Sequence, residues 1–460
     1  MYANNRLMKP LSITLTAIAI ALCTVTANAQ DKLTGAWNGT LSVPGGELAL
    51  VLHIDPVECT MDSPDQGAFG IPAVLKELTD NKVHVEVPSI GASLEGNLMF
   101  GLLVGKFKQS GMEFPISLKR GDIERNRPQT PEGPFPYTSE EVTFTNPEDG
   151  AMLSGTLVCP QEYGSSTPVV LFVSGSGLQN RDEEIFGHKP FLVIVDYLAR
   201  QGIASLRYDD RSVGKSTGDA SEATTDTFMK DAEAGIGYLR SLNKFGKVGV
   251  IGHSEGGTIS FMLAGEGKTD FIVSMAGTSV NGVEVLVEQN REILKGSGIP
   301  GSLVDDYCTV LQKIYANRIV EYLNGKTVDD NPEKTVETLM SISGVRLPKE
   351  LSDNLAEVIR SINPWIMRFI MLDPGEWIRK VSCPVMAING EKDIQVIAEQ
   401  NLSVLNEILP DSGKNMIKAY PDLNHMFQHC KTGMTNEYGQ IEETISEEVL
   451  ADMALWIRNL

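Results

Sequence analysis

Two hydrophobic rhythms divide the chain. Between residues 31 and 120, apolar and polar positions alternate in short runs such as "GAWNGTLSV", "GELALVLHI", "NKVHVEV" and "MEFPISLKR", split by Gly, Pro, Asn and Asp. A period of two marks strands with one covered face, so this part predicts six to eight short strands in a small barrel or sandwich. From residue 138 the pattern changes to continuous apolar runs: "PVVLFV" (168–173), "IASLRY" (203–208), "KVGVIG" (247–252), "FIVSMAG" (271–277), "CPVMAING" (383–390) and "MIKAY" (416–420). Such runs suit strands covered on both faces, as in a parallel sheet. Between 225 and 242, Phe228, Ala232, Ile236, Leu239 and Leu242 recur at helical spacing. Alternating strands and helices predict an α/β fold with helices on both faces of a mostly parallel sheet.

The intervals between these blocks carry their own signals. "NRPQTPEGPFPY" holds four prolines in twelve residues, a stiff linker composition, which places a linker at 121–137 between an all-β domain (30–120) and an α/β domain (138–460). From about 280 to 378 the periodicity is helical without a convincing strand. A helical insertion there would sit over the C-terminal ends of the strands as a cap. At the N-terminus, Arg6 and Lys9 precede the apolar run Leu11–Leu22 and the small residues Ala27 and Ala29. This is the order of a secretory signal peptide at 1–29, with cleavage near Ala29 and export to the periplasm or beyond. No other stretch approaches the roughly 20 apolar residues of a membrane span.

Charge narrows the partners. The chain has 39 Lys plus Arg against 60 Asp plus Glu, net −21, and −23 once Arg6 and Lys9 leave with the signal. Such a surface repels phosphate backbones and anionic lipid, so nucleic acid is not expected as a partner. Apart from Cys23 in the signal, Cys59, Cys159, Cys308, Cys383 and Cys430 are scattered and odd in number. They read as mostly buried free thiols, with room for one bridge in an oxidising compartment.

The chemistry concentrates where the third α/β strand ends. In "KVGVIGHSEGGTIS", Ser254 stands between glycines two before and two after, ahead of a helical stretch. A strand-to-helix turn that tight excludes side chains at the glycine positions and exposes the Ser at the top of the sheet, as in a nucleophile elbow. A serine needs a base, and His425 in "AYPDLNHMFQ" follows the last strand. Asp393, in the turn of "NGEKDIQV", can hold its imidazole, with Glu391 as the alternative. The order Ser, acid, His is the one this sheet type uses. His253 reads as support for the turn, and His53 and His84 as half-buried residues of the β-domain. The oxyanion donors are expected to be the backbone N–H of Glu255 and that of Ser176 in "SGSG", with Gly177 as the neighbour. A metal site is not expected, because His425 and His429 lack a third ligand cluster. "VGKST" is no phosphate loop, since Asp209 occupies the required Gly position.

Together "SGSGLQNRDE", "LRYDDRSVGKSTGD", "GHSEGG", "NPWIMRFIMLDP", "CPVMAINGEKDIQV" and "LNHMFQHCKTG" resemble the α/β-hydrolase superfamily, in particular the secreted esterases grouped with serine aminopeptidase-like hydrolases. The β-rich segment is similar to the domain that often precedes them. The resemblance implies a serine carboxylesterase with Ser254 as nucleophile, Asp393 as acid and His425 as base, acting without a cofactor on a small-molecule ester. It also implies that Trp365 and Phe369 lie in the cap near the substrate pocket, although packing of the cap onto the sheet would account for them equally. Ser212 stands where the family usually has Gly. Arg181 is expected to pair with Asp182, with a substrate carboxylate as the alternative partner. A peptidase or aminopeptidase using the same three residues is the alternative activity. The β-domain is left three roles: binding a polymer, shielding the site, or assisting a homodimer.

Overall fold

The computed structural model describes residues 32–460 apart from 44–45, 56–58, 67, 80, 110, 124 and 327, and apart from the side chains of 46, 47, 65 and 69. The expected signal peptide, with Cys23, lies outside the described residues. The described residues form two compact units that divide between Asn126 and Arg127.

The first unit is a closed antiparallel barrel of eight strands: β1 (Gly35–Val43), β2 (Gly46–Ile54), β3 (Cys59–Ser63), β4 (Ala68–Leu78), β5 (Lys82–Val87), β6 (Ala92–Met99), β7 (Leu102–Gln109) and β8 (Met112–Arg120). Each strand pairs with the next in sequence, and β8 closes on β1 through Trp37 opposite Arg120. Alternation sets which side faces in: Val83, Val85 and Val87 are buried, whereas His84 between them is half-exposed. Closure, rather than a sandwich, removes both sheet edges. Trp37, fully buried, fills the interior beside Leu52, Val85, Leu94 and Leu118, and its indole N–H reaches the Leu33 carbonyl at 2.7 Å.

The second unit is built on an eight-stranded sheet in the order β16-β15-β14-β13-β11-β12-β10-β9. The strands named by their apolar runs are β11 (Val169–Val173), β12 (Ala204–Tyr208), β13 (Val248–His253), β14 (Phe271–Met275), β15 (Val385–Gly390) and β16 (Met416–Tyr420), and these six neighbour one another in parallel. β9 (Tyr137–Thr145) and β10 (Met152–Pro160) add an antiparallel pair at one end. In β11, Val169, Leu171 and Val173 point into one core and Val170 and Phe172 into the other, which is why the run is apolar throughout. Helices α1 (Pro190–Arg200), α2 (Thr225–Ser241), α3 (Glu255–Gly265), α10 (Ala398–Ile408) and α12 (Glu447–Arg458) accompany the sheet strands, and α11 (Thr435–Tyr438) is a single turn before α12. Strand order reverses at β11, with β12 on one side and β13 on the other, so a crevice opens beyond their C-terminal ends.

Between β14 and β15 the chain runs through α4 (Gly282–Gly296), α5 (Gly301–Leu323), α6 (Pro332–Ser343), α7 (Lys349–Ser361), α8 (Pro364–Met371) and α9 (Gly375–Ile378). Three of these helices start on asparagines. The side chains of Asn281, Asn331 and Asn363 accept the N–H three residues on, and Pro332 and Pro364 supply the fixed φ of a first turn. The insertion has its own core around Tyr307, Leu311, Ile314, Leu355 and Met367. Among the described residues, the five cysteines are free and no helix is long and apolar enough to cross a membrane.

Candidate active site

β13 delivers Ser254 to the crevice. The residue sits directly before α3 at φ 53° and ψ −117°, a conformation costly for any residue with a side chain. The flanking glycines explain why the turn can be made. A Cβ on Gly252 would lie 1.9 Å from the Gly256 carbonyl oxygen, and one on Gly256 would lie 2.1 Å from that of Val173. The Ser254 N–H is held by the Met275 carbonyl at 2.8 Å.

Asp393 and His425 meet at the ends of β15 and β16. His425 Nδ1 is 2.7 Å from Asp393 Oδ2, with the two residues 4% and 2% exposed. The other carboxylate oxygen accepts the N–H groups of Gln395 (2.7 Å) and Val396 (2.9 Å), so its orientation is set by backbone. A carboxylate accepts only, which assigns the hydrogen to Nδ1 and leaves the Nε2 lone pair of His425 to act as base. The loop bearing His425 is pinned by Asn424, whose side-chain oxygen accepts the Met426 and Gln428 N–H groups at 3.0 Å each. Glu391 is exposed and His429 pairs with Glu443 at 2.8 Å. Among the described residues, no group of three or more His, Cys, Asp or Glu could hold a metal ion.

The loop after β11 carries Ser176 and Gly177, with Gly177 in the left-handed region at φ 96°. The Ser176 hydroxyl bonds to the Glu255 carboxylate, joining the two residues whose N–H groups were expected to face the oxyanion. That carboxylate is buried and collects donors. Thr225 Oγ1 reaches it at 2.6 Å, and the Trp365 indole N–H reaches its two oxygens at 2.8 and 3.0 Å. Burial pushes its pKa up, against these three bonds. Trp365 therefore touches the site directly. Phe369 lies one remove back, stacked on Trp365 at 5.8 Å and packed with Val280 and Val285.

Two acidic residues of the site were not singled out by sequence. Asp210 accepts the Ser174 hydroxyl (3.1 Å) and the Gln179 N–H (2.9 Å) beside a cavity of about 10 Å³ that Gly175, Gly177, Glu255 and Ile259 also line. Burial raises its pKa to about 7. Glu183 accepts the Gly175 N–H at 2.6 Å and lies 3.0 Å from His253 Nδ1. In sequence they stand in "QNRDE" and "YDDR", and partners distant in the chain bring them beside the Ser254 turn.

One expected pair is replaced. Arg181 does not bond to Asp182; its guanidinium spans Asp209 (2.7 Å) and Glu141 (2.6 Å), and Asp182 pairs with Arg207. Asp209 directly follows β12; its two oxygens accept the Arg181 Nε–H (3.0 Å) and an Nη2–H (2.7 Å) in a bidentate pair, and Oδ1 also accepts the Arg181 backbone N–H at 2.9 Å. Ser212 occupies a left-handed turn position that favours Gly. Its φ is 64°, and the serine side chain is accommodated by donating to the Gly218 carbonyl at 2.6 Å.

Residues 190–281, from α1 to the start of α4, match the family described as Serine aminopeptidase, S33 (Hydrolase_4). That span includes Ser254 but stops before Asp393 and His425. Esterase EstD of Thermotoga maritima is 24% identical over 307 residues. The match takes in 66% of this chain and 65% of that protein, so the chain covers slightly less than two thirds of its length. Among solved structures, the Pyrococcus furiosus esterase Pf2001 aligns over 74% of this chain and 99% of its own, at 17% identity and a TM-score of 0.42. The hypothetical protein PA2218 from Pseudomonas aeruginosa aligns over the same shares at 15% identity and a TM-score of 0.44. The strand order and the turn at Ser254 agree: the chain joins a closed β-barrel to an α/β-hydrolase fold, within which residues 190–281 are similar to the serine aminopeptidase S33 family (Hydrolase_4).

Proposed function

We propose that the protein hydrolyses carboxylic esters of small molecules by two-step acyl transfer. His425 Nε2 takes the Ser254 proton as the hydroxyl attacks the ester carbonyl. The N–H groups of Glu255 and Ser176 hold the tetrahedral oxyanion, and His425 passes the proton to the departing alcohol. Water, activated by the same imidazole, then releases the acid and frees Ser254. Asp393 holds the reactive tautomer throughout.

The observation that carries this reading is the buried 2.7 Å bond between His425 and a carboxylate fixed by two backbone N–H groups. The relationship to EstD, an esterase by name, favours esters as substrates. The description of the matched family favours a second reading, an aminopeptidase. Such an enzyme needs an acidic group for the substrate's α-amine, and the acid nearest the elbow, Glu255, is already occupied by Thr225, Trp365 and Ser176. Esters therefore rank first.

A fluorophosphonate probe should modify Ser254 stoichiometrically, and Ser254→Ala should reduce p-nitrophenyl acetate turnover on the order of 10⁵-fold. Parental turnover in Ser254→Ala would overturn the proposal. Faster turnover of aminoacyl anilides than of the ester would reverse the order of the two readings.

A further inference from the structure

Directly before Ser254 lies a second histidine–carboxylate pair that none of the steps above uses. His253 and Glu183 are each 5% exposed. His253 Nδ1 is 3.0 Å from Glu183 Oε1, and its Nε2 is 3.0 Å from the main-chain oxygen of His425. The same Glu183 oxygen accepts the Gly175 N–H at 2.6 Å. The His253 and His425 rings are 4.7 Å apart between centroids, tilted by 45°.

The partners determine where the hydrogens are. A main-chain carbonyl only accepts, so Nε2 of His253 carries one hydrogen. The other ring nitrogen faces a carboxylate oxygen and donates to it. With both nitrogens donating, His253 is an imidazolium paired to Glu183. Burial alone would drive the imidazole toward neutrality, but the Glu183 charge, the bonds to Glu183 and the His425 carbonyl, and the more distant Asp393 outweigh it, and the net shift is upward. The other ring facing His253 is Phe427, which is uncharged, at 6.5 Å.

The geometry points to Glu183 and His253 as positioning residues for the reaction: one buried pair that ties the main chain of His425 and the first residues of the oxyanion loop to the strand end bearing Ser254. The three parts come from different elements. Ser254 follows β13, Gly175 follows β11, and His425 lies in the loop after β16. His253 immediately precedes the serine, so a bond from its ring sets the position of the base's backbone relative to the nucleophile. A bond from its counter-ion does the same for the loop carrying Ser176. Glu183 itself adopts φ 51°, a left-handed conformation maintained against its cost. This rests on the reading of Ser254, His425 and Asp393 as the reacting set.

The test compares the full-length protein with Glu183→Gln and Ser254→Ala. In Glu183→Gln the amide oxygen can still serve the Gly175 N–H, but without the counter-ion the imidazole keeps one hydrogen and cannot donate on both sides. Fluorophosphonate labelling should still reach one site per chain, while the labelling rate constant and kcat per labelled site fall about 10- to 100-fold and KM changes less than about twofold. A variant that merely folded poorly would lose extent, not rate. Full extent at the parental rate would overturn the inference. Should Glu183→Gln not fold, the parent protein labelled with ¹⁵N-histidine decides: one buried imidazole with both nitrogens protonated at pH 7.5 is expected, and its absence would overturn the assignment. Activity surviving in Ser254→Ala would instead bring down the underlying reading of the site. An inactive Ser254→Ala beside a kinetically silent Glu183→Gln would remove this inference alone.

Discussion

Around the crevice, what a carboxyl group does depends on the number and kind of hydrogens aimed at it. Asp393 meets two backbone N–H groups and an imidazole, and Glu255 meets a hydroxyl, an indole and a second hydroxyl. Asp210 meets one hydroxyl and one N–H while buried near Glu183 and Asp231, and burial dominates, leaving a pKa of about 7. Unfolded, that group titrates near the ordinary aspartate value. Between about pH 4 and 7 the folded chain therefore holds a proton that the unfolded chain has lost. Stability from this group is full below about pH 4 and is lost as pH rises through about 7, a change on the order of 4 kcal/mol. Asp210→Asn should exceed the parent's urea midpoint at pH 8.5, and by clearly less at pH 4.5. Equal midpoints at both would show that this carboxyl is not strained. The candidate positions 254, 393 and 425 could be singled out because each stands in a distinctive turn after an apolar run. Glu183 and Asp210 were not, since an acid in a loop looks solvated until its remote partners close around it.

At the scale of elements, the inserted helices hold to the site through one short helix. α8 brings Trp365 to the Glu255 carboxylate and Arg368 to Asp226 in the first turn of α2. The indole bond is the more consequential, because its acceptor is buried, whereas the Arg368–Asp226 pair is half-exposed and screened. Trp365→Phe keeps the ring on Phe369 but removes the donor. The expected outcome is a loss of about 1–3 kcal/mol in urea unfolding at pH 7, with Arg368→Ala costing less than about 1 kcal/mol. The sequence announced the helices of this insertion through their periodicity, and the parallel strands through their unbroken apolar runs. It was less explicit about β9 and β10. β9, "YTSEEVTFT", buries only Val142 and Phe144 at the edge of the sheet, a weak alternation that resembles a polar segment.

The molecule as a whole has separate hydrophobic interiors. The barrel's core is assembled from residues between Leu33 and Leu118, and the two faces of the mixed sheet are covered by residues from 142 onward. Each of the two compact units encloses its own core, and the two are expected to melt as separate transitions. Trp37→Ala should lower the barrel's transition by about 3–5 kcal/mol in calorimetry and leave both the second transition and the rate of Ser254 phosphonylation unchanged. A coincident shift of both transitions would contradict that independence. Within the second unit, the groups proposed to react hang from the ends of four strands, β11, β13, β15 and β16. Ser254 and Asp393 are separated in the chain by the whole helical insertion, so no local segment can assemble a working nucleophile. On the proposed mechanism, a nascent or partly refolded chain carries an inert hydroxyl at 254 until the distant strands that bring its base have found each other.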